Sequence, residues 1–265
     1  MGKKKRTKER VYGKGGAATG TEEPAGPLAT GSLWEGVKSL ALAFALFLVL
    51  RSFVIQNFVI TSGSMEQTLL VGDFLMVNRL ALGSRIPLTT VGIPGYSTPH
   101  RFDVIVFDPS HVENLKLVKR LIGMPGDTLA MKDRVLSING KTIDEPYVHH
   151  QDIPDEGPSV PTDGMTAVNG RFMDWQLDDL APGVDSAKYH PTRDNWGPIV
   201  VPPDRYFMLG DNRETSLDSR YWGLLERWRL EGRAVFIYFS YNRDSVRPFA
   251  FLREIRWGRF GQGIR

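Results

Sequence analysis

Residues 117–140 read LVKRLIGMPGDTLAMKDRVLSING. Three short runs, Leu117–Ile122, Thr128–Met131 and Val135–Ile138, are rich in aliphatic and β-branched residues and read as strands. Pro125-Gly126-Asp127 separates the first two. Pro presets φ for a turn and Gly accepts the positive φ that a tight reversal demands. Asn139-Gly140 closes the third run and is a strong signal for a two-residue hairpin. Strands so short and so closely punctuated predict antiparallel β structure.

Working outward, the same texture recurs in Phe74–Leu80, Asp103–Phe107, Arg205–Leu209 and Ala234–Ser240, with turn signals at Gly72-Asp73 and Gly210-Asp211. No long amphipathic helical period follows residue 55, and no repeat of 20–50 residues is present. The reading is a mostly β, antiparallel-sheet domain over 54–265, carrying a loop/β insertion at about 144–198. Residues 149–198 of that insertion hold many Pro, Asp and Gly, scattered Trp and few apolar runs.

The first 53 residues differ. Residues 1–14 carry seven Lys or Arg against Glu9, a net +6, on a chain whose total is +3. A basic tail on a slightly acidic body points to an anionic surface, nucleic acid or lipid headgroups. Residues 13–32 are rich in Gly, Ala, Thr and Pro, so 1–32 reads as a disordered tail. Ser39–Leu50, SLALAFALFLVL, has no charge and no breaker. Twelve helical residues rise about 18 Å, short of the roughly 30 Å of a bilayer core. Extended to 33–53, the segment gains Trp34 as an interfacial residue, and Lys38 and Arg51 near its ends can snorkel to headgroups. A buried core helix and a cleaved secretory signal compete with a single transmembrane anchor. The signal fits poorly, because the basic region lies far ahead and no A-x-A site follows closely. The anchor is favoured: 33–53 spans, the tail stays cytoplasmic, and 54–265 lies on the far side. On that reading the tail needs no nucleic acid.

Composition adds exclusions. The 265 residues are 42% apolar and 24% charged, and none is Cys. That removes a disulfide scaffold, Cys-ligated zinc, iron–sulfur clusters and thiol nucleophiles. It does not set the compartment.

Three polar clusters remain. Thr61-Ser62-Gly63-Ser64-Met65 lies some ten residues beyond the anchor. Lys119-Arg120 ends an apolar strand just before Gly123-Met124-Pro125-Gly126-Asp127. Gly210-Asp211-Asn212-Arg213-Glu214-Thr215-Ser216-Leu217-Asp218-Ser219-Arg220 runs on to Gly223. Singly these are a turn, a solvated pair and a tight turn whose Asp or Asn bonds its own backbone. Jointly, in this order behind an anchor, the patterns SGSM, GDxxxV, KRxxGxPGD and GDNRxxSxDSRxxG resemble bacterial type I signal peptidases, from about Arg51 to Gly223.

The resemblance implies a membrane-bound serine endopeptidase that removes signal peptides from secretory preproteins, without metal or cofactor, at the bacterial cell membrane. Ser64 falls on the family's nucleophile and Lys119 on its general base. Free Lys titrates near 10.4, so a base needs its charged form disfavoured, and the apolar flanks Leu117-Val118 and Leu121-Ile122 offer burial. Ser216 matches the serine that orients the lysine. The Ser64 N–H and the Ser62 hydroxyl match the oxyanion donors. Asp211, Arg213, Asp218 and Arg220 match structural support, the last two as an ion pair. Gly63 and Gly210 are expected to permit tight backbone geometry. Phe58, Ile60, Leu69 and Val118 match the walls of two shallow pockets for small side chains at −1 and −3, or are ordinary core. Thr61 stands where many members carry Pro, and Glu66 follows the SGSM motif. His111, His149 and His150 have no motif context and read as surface or insertion residues.

Two other readings were open. A self-cleaving Ser/Lys regulator of the repressor type favours a helix-turn-helix and a soluble chain. A catalytically silent membrane-anchored domain would be expected to lack Ser64 or Lys119.

Overall fold

The computed structural model describes residues 30–53, 55–85, 92–110, 112, 115–155 and 173–265. Of the expected tail, 1–29 lies outside them, as do His111 and residues 156–172 of the insertion. The chain divides into two compact units, 1–45 and 46–265.

The first unit holds most of helix α1, Thr30–Phe53. Its described apolar side chains, among them Leu33, Trp34, Leu40, Leu42, Phe44 and Phe47, are exposed. Lys38 Nζ lies 5.4 Å from the Trp34 ring centroid. Among the described residues no helix is long and apolar enough to cross a membrane. A helix thus occupies the place of the expected anchor at 33–53, but a span is not found there. The uninterrupted apolar run is only Ser39–Leu50, and Glu35 and Lys38 interrupt the segment before it.

The second unit is antiparallel β. Its strands are β1 Ile55–Val59, β2 Asp73–Asn78, β3 Gly83–Arg85, β4 Gly92–Pro94, β5 Val104–Phe107, β6 Leu117–Gly123, β7 Thr128–Lys132, β8 Val135–Ile138, β9 Lys141–Thr142, β10 Trp196–Val200, β11 Arg205–Leu209, β12 Leu225–Glu226 and β13 Leu230–Ser240. Seven form the main sheet in the order β1-β2-β13-β5-β6-β11-β12. Four form a smaller sheet, β10-β7-β8-β9, and β3 pairs with β4. Two one-turn helices, α2 Ser219–Trp222 and α3 Ala250–Arg253, complete it.

Local chemistry explains most of these elements. Asn139 and Gly140 both have positive φ, 52° and 76°, and join β8 to β9 as a two-residue hairpin. Pro125-Gly126 make a turn closed by Asp127 N–H to the Met124 carbonyl at 3.0 Å, with Gly126 at φ 86°. β2 alternates, with Asp73, Leu75 and Val77 buried and Phe74, Met76 and Asn78 less so. β5 is buried along its whole length, as a central strand covered on both faces should be.

Boundaries moved where tertiary contacts decide. The strand read as Phe74–Leu80 stops at Asn78, whose Oδ1 accepts from Ala81 N–H at 3.1 Å and starts a turn. The strand read as Ala234–Ser240 begins at Leu230. Gly232 carries it past β2, since a Cβ there would stand 2.7 Å from Val77 Cγ1. β1, β10 and the short β3, β4, β9 and β12 were not foreseen. β10 straddles the end of the insertion and pairs with β7, and its Trp196 and Ile199 are buried with Leu129, Leu136 and Phe207. The insertion is therefore partly core.

Candidate active site

The first cluster is built by the exit from β1. Pairing continues past Val59 through Ile60 N–H to the Asp73 carbonyl, 2.9 Å, and Gly72 N–H to the Ile60 carbonyl, 3.0 Å. Ser62 is still extended, and Gly63–Met65 then coil into one 3₁₀ turn. Met65 and Leu69 root this turn in the core beside Leu75, Val77 and Val104. Ser64 is left 5% exposed. Its Oγ lies 3.4 Å from Ser62 Oγ.

The second cluster follows from strand geometry. Successive side chains leave a strand on opposite faces, so Lys119 and Arg120 of β6 are sent apart. Lys119 is 1% exposed, and its Nζ donates to Ser216 Oγ at 3.0 Å. Arg120 turns to Asp211, with Nε–Oδ1 at 2.8 Å and Nη2–Oδ2 at 2.6 Å.

β11 pairs with β6 and delivers the third cluster, because Leu209 lies opposite Arg120 and the chain leaves the sheet at Gly210. A Cβ at Gly210 would stand 2.1 Å from Ser216 Oγ and 2.5 Å from the Ser64 carbonyl oxygen. Only glycine lets Ser216 and Ser64 close on the same backbone. At Gly63 a Cβ would meet nothing nearer than Glu66 Oε2 at 3.6 Å, an ordinary contact, so the expected steric need for glycine there is absent. The 3₁₀ turn packs on β6, so Ser64, Lys119 and Ser216 occupy one corner of the main sheet.

Buried ion pairs frame that corner. Arg220 grips Asp218 through Nε–Oδ1 at 2.8 Å and Nη2–Oδ2 at 2.9 Å, and Asp218 also accepts from Gly210 N–H at 3.0 Å. Burial alone would push the Asp218 carboxyl up. The Arg220 charge and hydrogen bonds, the Lys119 charge and the Gly210 N–H outweigh it and hold the group below the usual carboxylate range. Burial works against the Arg220 cation too, and Asp218 beside it more than compensates, so its pKa rises. Arg213 pairs with Glu145, Nη1–Oε2 at 3.0 Å and Nη2–Oε1 at 2.5 Å, and donates Nε to the Gly210 carbonyl at 3.1 Å. Among the described residues no group of three or more His, Cys, Asp or Glu side chains is placed to hold a metal ion. The buried amine of Lys119 is bonded to one serine hydroxyl, Ser216 Oγ, with Ser64 at the same corner; a hydroxyl with a base at hand is a pairing that nucleophilic acyl transfer uses.

The model of the signal peptidase family, peptidase S26, matches residues 33–239. The chain belongs to this family. It is 33% identical to "Signal peptidase I" of Pseudomonas aeruginosa over 79% of its own length and 73% of that protein's. It is 32% identical to "Signal peptidase I" of Bacillus licheniformis, covering 80% and 91%. A crystal structure of a signal peptidase I from Enterococcus faecalis is 29% identical and covers 52% of this chain and 97% of its own, with a TM-score of 0.32. The S26 chain is thus a signal peptidase, a hydrolase that cleaves signal peptides.

Within this S26 peptidase the residues singled out from sequence fall in two sets. Ser62, Ser64, Lys119, Ser216, Asp211, Arg213, Asp218 and Arg220 gather at the corner just described. Phe58, Ile60, Leu69 and Val118 share one apolar cluster with Met65. There Leu69 is 0% exposed and Ile60 is buried, while Phe58 and Val118 are only partly covered. Leu69 and Ile60 therefore lie inside the core, and Phe58 and Val118 are the two of the four that keep exposed surface. Thr61 and Glu66 are both exposed.

Sequence reading missed the partners. Arg120 and Glu145 carried no assigned role, yet they complete the ion pairs of Asp211 and Arg213. Thr68 donates to Asp211 Oδ2 at 2.6 Å. His149 and His150 of the insertion are not bystanders: His149 Nδ1 lies 2.8 Å from Gln67 Nε2, and His150 Nδ1 lies 2.9 Å from Glu214 Oε1. Further along the insertion, Trp175 Nε1 and Gln176 Nε2 both donate to the Arg220 carbonyl, at 3.2 and 3.0 Å. An expectation that every buried Arg needs a carboxylate would have flagged Arg120, but not which carboxylate.

Proposed function

We propose that the enzyme cleaves by a Ser64/Lys119 dyad. The observation that carries this is the fully buried Lys119 Nζ, bonded to Ser216 Oγ beside the turn that presents Ser64. Burial disfavours the ammonium, while the Asp218 carboxylate, already paired with Arg220, favours it; the dyad needs burial to prevail. Lys119 then takes the Ser64 proton as Oγ attacks the carbonyl of the −1 residue. The Ser64 N–H and the Ser62 hydroxyl receive the developing oxyanion. Collapse expels the amine of the mature protein, which takes the proton back from Lys119. Water activated by Lys119 then hydrolyses the acyl-enzyme.

The substrate is a secretory preprotein with small residues at −1 and −3. An extended peptide lies along exposed backbone, and Phe58 and Val118 limit the side chains beside the scissile bond. Helix α1 holds the enzyme at the bacterial cell membrane; because its apolar run is too short to span by itself, a single pass requires Glu35 and Lys38 to sit in the headgroup layer. Its 24 residues rise about 36 Å, and its exposed apolar surface needs a cover that lipid supplies. Lys38 beside Trp34 suits the headgroup layer. The +6 tail stays cytoplasmic and the β domain faces outward.

The test is cleavage of a preprotein with an Ala-x-Ala junction by the full chain in detergent, beside Ser64→Ala. One cut after the junction, absent in the variant, is expected. An active Ser64→Ala enzyme, or an intact preprotein with folded wild type, overturns the assignment.

A further inference from the structure

The 3₁₀ turn that presents Ser64 is held chiefly by one side chain outside it. Asn212 is 1% exposed. Its backbone N–H donates to the Ser64 carbonyl at 3.1 Å. Its Nδ2 donates to the Gly63 carbonyl and to Glu66 Oε2, each at 3.2 Å. Both targets can only accept, so the amide has one possible orientation, with Nδ2 facing the turn. Oδ1 then points away, buried and with no hydrogen-bond partner among the described residues. A buried unpaired acceptor costs stability. Net stability alone is therefore a poor reason for an amide at this position.

The geometry of the peptide unit supplies another. A trans peptide is one rigid plate, with the Gly63 carbonyl on one edge and the Ser64 N–H on the opposite edge. Whatever aims the carbonyl aims the N–H. The Gly63 oxygen receives Asn212 Nδ2 on one side and Glu66 N–H, at 3.0 Å, on the other. The next plate is fixed at the Ser64 carbonyl by the Asn212 N–H. Steric confinement does not do this, since the space at Gly63 would admit a Cβ.

We propose that Asn212 is a positioning residue for the oxyanion donor: its amide sets the plane of the Gly63–Ser64 peptide and so aims the Ser64 N–H at the developing charge. This rests on the reading of Ser64 as nucleophile. Glu66 acts through the same amide by holding Nδ2 toward the turn.

The test uses the full chain in detergent, a peptide with an Ala-x-Ala junction, and two probes of the same sequence, an aldehyde and the corresponding alcohol. The aldehyde accepts Ser64 Oγ at its carbonyl carbon. The C=O π bond becomes an alkoxide at the oxyanion position, and the serine proton passes to Lys119. The alcohol binds without reacting. In Asn212→Ala, kcat and aldehyde affinity are expected to fall together by about 10–100-fold, within the cost of misplacing or losing one oxyanion donor. KM and alcohol affinity should stay within about threefold, on the reasoning that interactions made only in the transition state move kcat alone. Asn212→Asp, which keeps the shape but turns an acceptor toward two acceptors, should lose at least as much, and it carries the same test if Asn212→Ala does not fold. Unchanged kcat and aldehyde affinity in either variant, with Ser64→Ala inactive, overturns this inference alone. So does a parallel loss of kcat, KM, alcohol affinity and melting temperature, the mark of a merely structural residue. An active Ser64→Ala enzyme removes the nucleophile reading and this inference with it.

Discussion

A lysine buried inside a strand is an expensive residue, since its stem packs well but its ammonium loses water. Lys119 is buried with its Nζ bonded to Ser216 Oγ, near the paired Asp218 and Arg220. If its task is to take a proton, Lys119→Arg must fail, because guanidinium stays protonated. The expected loss in kcat is at least about 10³-fold in the preprotein assay, comparable to removing a unit of the catalytic machinery. A near-normal Lys119→Arg enzyme would falsify the neutral-base mechanism. The ion pairs give a separate expectation. Asp211→Ala leaves Arg120 buried without its bidentate partner, which should cost about 3–5 kcal/mol in denaturant unfolding. A loss below about 1 kcal/mol would mean that water or a neighbour replaces the carboxylate.

At the scale of elements, the turn between β6 and β7 is tied to the segment before β5. Asp127 is buried, which by itself raises its pKa. Arg101, bonded at 2.6 and 3.0 Å, the Met124 N–H and Asn139 Nδ2 outweigh burial and hold the carboxyl below its usual value. A depressed folded pKa contributes stability that is present above the unfolded value near 4 and is lost as pH falls through the folded one. Arg101→Met should therefore destabilise by about 1–3 kcal/mol at pH 7. That difference should shrink as pH falls below the unfolded value and Asp127 becomes protonated. Stability curves of the two proteins at pH 7, 4 and 2 check this, and a constant difference across them refutes it.

For the whole molecule, the two compact units differ in kind: the first carries an exposed apolar helix surface, and the second holds Ser64, Lys119 and Ser216. The full chain expressed in bacteria should remain in the membrane pellet after alkaline carbonate, and protease added to sealed spheroplasts should digest residues 54–265 from outside. Release by carbonate would leave α1 a surface helix and the domain unplaced. The fold itself was legible where local chemistry is decisive. Asn139-Gly140 demanded its hairpin, and Val135–Ile138 and Arg205–Leu209 were bounded correctly because turn residues flank them. The turn from β7 to β8 was not legible. Asp133 and Arg134 both adopt positive φ, 49° and 68°, which neither residue type announces. They are held by partners some 60 residues on, Asp133 N–H by Asn195 Oδ1 at 2.9 Å and Arg134 Nε by Asp194 Oδ2 at 2.8 Å.

The same division runs through the site. Alternation along a strand sends Lys119 and Arg120 to opposite faces whatever surrounds them, and the order of the polar clusters already carried the family resemblance. Sequence alone determined the polar clusters that carry the family resemblance, the antiparallel β class and the separate character of the first 53 residues, because periodicity, turn chemistry and charge are local properties. Only the tertiary structure decided that Arg120 meets Asp211, that Arg213 meets Glu145 and that Gly210 brings Ser216 against Ser64. It alone placed Asn212 astride the turn that presents Ser64. Each of those pairings joins residues far apart in the chain, and for Arg120 and Asp211 the partner is set by the register of β6 against β11 rather than by any neighbour in the chain.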